Sequence, residues 1–318
     1  MRLPPFINKK NSWTQSIIIV SQLFRLRSYS MILIVGCGPA GSAIREALKD
    51  SEVAWACDKE HPSPAAGCIG YDIKNSADVA RVVNQTKPGQ IILTEEIPSV
   101  EYCEKNRLDA MEFNTRGVRF FVEASLPLKS RVTYLSSAYV FDGRKSGGLY
   151  TEYDHVNPIN VYGETKLMGE VAVDKAADHL TLRLGEVYGS HPDNFVKYVL
   201  SGLTYGQKIE LARDMYFSPI YIEDVARAVS LLVKENIGGL YNLAGPERLS
   251  HYEMGVRIAR AFDKDEDLLV PLSMEEMGFT VRMPKDLSLD ASKISALIKI
   301  RGVDEGLAAM REAMEPKK

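Results

Sequence analysis

The sequence predicts an α/β fold, a doubly wound parallel sheet followed by a smaller C-terminal lobe. Three observations point to it. Short apolar runs alternate with amphipathic stretches from Met31 to about residue 185, the pattern of repeated strand–helix units. The first apolar run opens directly onto a glycine-rich turn, Gly36-Cys37-Gly38-Pro39-Ala40-Gly41, and a helical stretch follows it. The texture changes after Gly185, where loops and short elements replace the alternation.

The 318 residues are 45% hydrophobic and 25% charged, ordinary for a globular chain that buries a sizeable core. A net charge of −3 supplies no basic stripe for nucleic acid. Residues 1–30 hold Arg2, Lys9, Lys10, Arg25 and Arg27 and no acid, and their apolar run Ile17-Ile18-Ile19-Val20 is far too short to span a membrane. We read them as a non-core extension, because Met31 leads straight into the first strand; targeting is the other reading of an acid-poor segment. The division expected is 1–30 as extension, 31–185 as the sheet domain and 186–318 as mainly a substrate lobe interleaved with the sheet. The four cysteines, Cys37, Cys57, Cys68 and Cys103, show no Cys-x-x-Cys spacing and read as buried free thiols in a reducing cytoplasm, with no metal site.

The elements follow in order. Met31–Val35 is a strand, the glycines turn the chain, and Ser42–Lys49 is a helix. Glycines at 36, 38 and 41 permit a tight turn and close approach of a pyrophosphate to the helix N-terminus, with Pro39 and Ala40 between them. This is the Rossmann-type fingerprint. Val53–Cys57 is the second strand, ending at Asp58, about 20 residues past the glycines and suited to ribose hydroxyls. That favours NAD(H), whereas Lys59 beside it suits the 2′-phosphate of NADP(H). Cys68–Tyr71 is a short strand leading to Asp72-Ile73, Ala77–Thr86 a helix, Gln90–Thr94 a strand, Cys103–Ala124 a long helix, and Arg131–Leu135 a strand. Pro158–Ala177 is a helix, and Leu180–Leu184 a strand. In the C-terminal part Ile222–Lys234, His251–Phe262 and Leu289–Leu297 read as helices and Gly239–Ala244 as a strand.

The helix at 158–177 carries Tyr162 and Lys166, which share a face at i and i+4. A lysine ammonium beside a phenol lowers the phenol's pKa from about 10 and makes it a proton donor and acceptor near neutral pH. A chain with fifteen tyrosines yields about one Tyr-x-x-x-Lys by chance. The weight therefore falls on the flanks, above all Ser136-Ser137-Ala138-Tyr139-Val140-Phe141-Asp142-Gly143 just upstream.

Those flanks, with Tyr150-Thr-Glu-Tyr-Asp154, Asn157-Pro158 and Val161-Tyr-Gly-Glu-Thr-Lys-Leu-Met-Gly-Glu170, resemble the extended short-chain dehydrogenase/reductases. Within them the chain is most similar to the branch holding the dTDP-4-dehydrorhamnose reductases and the regulatory beta subunit of methionine adenosyltransferase. The resemblance runs over residues 31–318 and takes in Arg183, Val187-Tyr188-Gly189, Asn194-Phe195-Val196 and Arg282-Met-Pro-Lys-Asp286. It implies Ser137, Tyr162 and Lys166 as the catalytic set, Lys166 also on the nicotinamide ribose, and Asp72-Ile73 at the adenine. Asn114 would help order the site, and Tyr139, Phe141, Asn194 and Arg282 would stand near the substrate.

The implied function is an NAD(P)-dependent reductase of a nucleotide-sugar ketone in a rhamnose-type pathway, with Tyr162 protonating the alkoxide. An epimerase of the same fold, or a non-catalytic NAD(P)-binding regulatory subunit, are the alternatives, and an oligomer of identical chains stays open. The chain departs from the family after the fourth strand. There Glu95-Glu96 stands where small residues usually let the backbone run beside the cofactor, so two carboxylates are expected on the cofactor's path. Ala138 replaces a common Asp.

Overall fold

A computed structural model of the chain describes residues 31–59 and 67–315. The N-terminal extension lies outside the described residues. The chain begins with strand β1 (Ile32–Val35), helix α1 (Pro39–Ala47), β2 (Val53–Asp58), β3 (Ile69–Tyr71), α2 (Ser76–Thr86) and β4 (Gln90–Leu93). Two short helices, α3 (Val100–Lys105) and α4 (Arg107–Met111), run into a π-helical segment at Glu112–Gly117 and then α5 (Val118–Ser125). β5 (Arg131–Ser137), α6 (Val161–Val173) and β6 (His179–Leu184) complete the first part.

Beyond them come β7 (Glu186–Tyr188), α7 (Phe195–Thr204), β8 (Ile209–Ala212), β9 (Tyr216–Phe217), β10 (Pro219–Tyr221), α8 (Ile222–Lys234) and β11 (Gly239–Leu243). The chain closes with β12 (Leu249–Ser250), α9 (His251–Ala261), β13 (Leu269–Leu272), β14 (Asp286–Leu287), α10 (Ser292–Ser295) and α11 (Val303–Met314).

Seven strands form one parallel sheet in the order β11-β6-β5-β4-β1-β2-β3. The order reverses beside β1, which opens a crevice beyond the carboxyl ends of β1 and β4. The central strands are apolar on both faces; Leu33, Ile34, Ile91 and Ile92 are fully buried. Val79, Val83, Phe113 and Phe121 cover one face, and Ile44, Leu48, Val225 and Val229 the other. Burying a side chain of this kind is worth roughly 1.5–3 kcal/mol, so the two apolar layers, rather than local propensity, hold the sheet. β11 and α8 come from the C-terminal part, and α8 packs on α1. A third apolar cluster, around Val199, Leu211, Met254 and Leu307, is the core of the smaller lobe.

Two predicted helices differ. The stretch 103–124 is not continuous: Asn106 leaves helical geometry, its side chain taking the carbonyl of Tyr102, and the ladder widens to π form at Glu112–Gly117. The predicted helix at 289–297 shortens to Ser292–Ser295. Leu289 is held in an extended bridge to Tyr150, and Asp290 caps the turn through Ser292.

Candidate active site

The glycine turn is built as its sequence implies. Gly36 has φ +110, where only glycine is unstrained, and a Cβ there would meet Thr94 and the amide of Glu95. A Cβ on Gly41 would stand 2.1 Å from the Gly36 carbonyl oxygen, so this glycine lets α1 pack against β1. Gly38 caps α1 and faces open space, with Pro39 at the first helical position. An anion can approach the amides of Ala40 and Gly41 there.

Ser137 ends β5, and Tyr162 and Lys166 lie on α6, whose N-terminus is capped by Asn160 through the amide of Gly163. The Ser137 hydroxyl lies beside Tyr162 and accepts from the Tyr139 amide at 3.3 Å, and Tyr139 packs edge-on against the Tyr162 ring at 5.3 Å. Ser137, Tyr162 and Lys166 therefore converge as expected.

Glu96 Oε2 accepts from Lys166 Nζ at 2.6 Å and from the Tyr162 hydroxyl at 3.2 Å. Lys166 donates again to the Leu135 carbonyl at 2.6 Å and lies over the Tyr134 ring. Burial opposes the ammonium's charge, but Glu96 and Tyr134 outweigh it and raise the lysine above its ordinary value.

The expectation that Lys166 lowers the Tyr162 pKa is corrected. Burial, then the Glu96 charge, holds Tyr162 well above 10, and only the Ser137 hydroxyl is a sizeable opposing effect. The lysine's charge is spent on Glu96.

Glu96 is fixed from behind. Asn114, in the π segment, accepts from the amide of Ile97 at 2.7 Å and donates to its carbonyl at 3.1 Å and to Thr165 at 3.2 Å. The widened turn aims this buried amide at the loop, so the residue expected to order the site also sets the position of Glu96.

Glu95 points the other way, toward Asp58 and Tyr71. Burial lifts its carboxyl to about 7; the Asp58 backbone amide opposes this, and the charges of Asp58 and Glu96 add to it. Its Oε2 is buried without a hydrogen-bond partner. Glu186, at the start of β7, is pushed to about 7 by its surroundings although its side chain reaches solvent.

Other expectations need correction. Asp58 is buried, and its Oδ2 accepts from the amide of Ile73 at 2.7 Å instead of facing a ribose. Ile73 is itself buried against Gly117. Lys59 is paired with Asp72 at 3.1 Å. Phe141 is wholly buried, stacked at 4.2 Å on Tyr150, and is a core residue rather than a substrate contact.

Asn194 caps α7 and donates to the carbonyls of Gly189 and His191, so its polar groups are engaged within the fold. Arg282 does line a cavity of about 630 Å³ with Asp142, Arg144, Ile159, Phe279 and Lys285. Its carbonyl takes a hydrogen bond from Asn160, which ties that cavity's wall to the start of α6.

The cysteines depart most from expectation. Cys103 alone is a buried single thiol, while Cys37, Cys57 and Cys68 bring their sulfurs to one point. Spacings of 20 and 11 residues carry no known signature; only the neighbouring of β1, β2 and β3 makes them adjacent.

Residues 30–315 match the RmlD substrate binding domain family. The chain is 28% identical over 245 residues to the dTDP-4-dehydrorhamnose reductase of Aggregatibacter actinomycetemcomitans, covering 73% of this chain and 83% of the relative. It is 25% identical over 284 residues to the methionine adenosyltransferase 2 subunit beta of Danio rerio, covering 85% of each. Among solved structures, the dTDP-4-dehydrorhamnose reductase of Bacillus anthracis in complex with NADP superposes with a TM-score of 0.80 at 25% identity, over 90% of this chain and all of that one.

Proposed function

The chain belongs to the RmlD substrate binding domain family, and on that premise we propose that it is an NAD(P)-dependent reductase of a nucleotide-sugar ketone, with a dTDP-linked 4-keto-6-deoxyhexose as the substrate class. The observation that carries this reading is the meeting of Ser137, Tyr162 and Lys166 beside the crevice that starts at the glycine turn.

Gly36, Gly38 and Gly41 leave room for the dinucleotide's phosphates, and Lys166 and Tyr162 offer hydrogen-bonding groups to its ribose once the Glu96 carboxylate swings aside. The bound nicotinamide supplies the hydride. Tyr162, neutral at physiological pH, gives its phenolic proton to the carbonyl oxygen as negative charge grows there. Ser137 hydrogen-bonds that oxygen and keeps the phenol aimed at it. Lys166, released from Glu96, stabilises the phenolate left behind and makes it a base for the return of a proton. The cavity beside Arg282 takes the nucleotide-sugar, with Arg144 and Arg282 offered to phosphates and Asp142, Asp214 and Glu275 to sugar hydroxyls. A cytoplasmic setting goes with this reading; no helix among the described residues is long and apolar enough to cross a membrane.

The experiment is titration of the purified chain with NADH and NADPH, followed by oxidation of the bound reduced form on adding the keto-sugar nucleotide. Cofactor binding with turnover supports the reading. Absence of binding even when Glu96 is replaced by Gln sinks it.

One observation favours a second reading. Glu96 already satisfies both Lys166 and Tyr162, as suits a regulatory subunit that keeps the fold and gives up the reaction. Cofactor binding without turnover on any keto-sugar nucleotide would favour it.

A further inference from the structure

We propose that Cys37, Cys57 and Cys68 form a three-thiolate site for one thiophilic d¹⁰ cation, Zn²⁺ being the commonest. Their sulfurs all lie within 4.8 Å of one another. Cys37 and Cys68 stand 3.5 Å apart, and the Cys57 sulfur lies between them at bonding distance from both. Thiolates about 2.3 Å from a tetrahedral ion stand roughly 3.8 Å from each other, a spacing that Cys37 and Cys68 already approach and that Cys57 reaches by drawing back about 2 Å.

A disulfide is the rival reading. The Cα separations, 5.5 Å for Cys37 and Cys57 and 6.1 Å for Cys57 and Cys68, suit either bridge. One sulfur cannot hold both. A pairwise bond leaves the third thiol pressed against it with nothing to do, whereas a metal ion uses all three.

The surroundings agree. The polar neighbours of the Cys37 and Cys68 sulfurs outside the cluster are the carbonyl oxygens of Ala56 and Ile69, and Asp58 follows Cys57 in the chain. The thiols donate weakly to those carbonyls, and an ion bound by all three sulfurs would displace the thiol protons. Cys57 is buried while Cys37 and Cys68 are half-exposed, which gives an ion a path in and leaves a fourth position for water. Cys37 belongs to the glycine turn, Cys57 to β2, and Cys68 precedes β3. A bound ion therefore pins the turn to the edge of the sheet.

The test uses the full chain, reduced, stripped with a chelator and kept anaerobic, and titrated with Co²⁺ and then Zn²⁺. One equivalent of Co²⁺ should give thiolate-to-metal charge-transfer absorption that Zn²⁺ abolishes, and Zn²⁺ should raise the melting temperature. Cys57→Ser and Cys68→Ser should each weaken binding about 100-fold or more, while Cys103→Ser leaves it unchanged. The half-exposed Cys68 variant, judged folded by circular dichroism, guards against simple misfolding of the Cys57 variant. Three freely titrating thiols with no metal uptake, binding that survives loss of Cys57 or Cys68, or a disulfide that persists in reductant and excludes the ion would each overturn the proposal.

Discussion

Glu96 and Lys166 form an ion pair 2.6 Å long in which the lysine is 2% exposed and the acid 32%. The acid's other contact is the Tyr162 hydroxyl. One carboxylate thus takes the hydrogen bonds of both groups on which proton transfer depends. Any ligand using Lys166 and Tyr162 must first displace it.

Replacing Glu96 with Gln should therefore have opposite effects on stability and binding. Without ligand, the buried ammonium loses its counter-charge, and stability should fall by about 2 kcal/mol, less than for a fully buried pair because the acid is partly solvated. Reduced nicotinamide dinucleotide should bind about tenfold tighter or more, since about 1.4 kcal/mol of internal competition accounts for that factor. Thermal melts with and without the dinucleotide measure both. A variant that is destabilised yet binds no better shows that Glu96 only supports the fold.

Tyr162→Phe tests the proton-transfer role. Tyr162 is 6% exposed and packed on Tyr139, so a ring without the hydroxyl keeps that packing. Turnover should drop by about 10²–10⁴ while the dinucleotide's dissociation constant changes little. An equal loss of both in single-turnover and binding experiments would mark the tyrosine as structural.

The sheet, the glycine turn and the Tyr162–Lys166 pair were legible because each rests on a local pattern, namely period, punctuation, or spacing on one helix; Ser137, on a strand, joined them only through the family resemblance. The loop at 95–96 was legible as an obstacle but not as a contact. Nothing in Thr94-Glu95-Glu96-Ile97 says which acid turns to Lys166, because that depends on Asn114 holding Ile97 from a π turn that an amphipathic stretch does not announce. Asp58 was misread because its position after β2 suits a ribose, yet the Ile73 amide reaches it first. The thiol cluster was invisible because its members meet only through strand adjacency.

Asn114→Ala removes the partner of the Ile97 amide and leaves its carbonyl only the weak Cys103 thiol donor. A loss of about 1–3 kcal/mol follows from unmade hydrogen bonds of this kind. The freed loop should also loosen Glu96 from Lys166, so dinucleotide binding should not weaken in step with stability. Denaturant melts set against binding constants separate the two; a parallel fall in both contradicts the assigned role.

Glu95 predicts a pH dependence. Its carboxyl titrates near 7 in the fold against 4.5 in the open chain, so between those values the folded state holds the extra proton. Stability contributed by this group is full below pH 4.5 and declines as pH rises to 7, by about 3 kcal/mol at most for a shift of this size. Glu186 acts in the same direction and, reaching solvent, more weakly. Glu95→Gln should therefore flatten most of the fall and raise the melting temperature at pH 8, with little change at pH 4.5. Glu95 faces Asp58 and Tyr71 rather than Lys166, so dinucleotide binding should change little in the variant at either pH. Melting curves and titrations at the two pH values decide it: an undiminished slope in the variant would place the titrating group elsewhere.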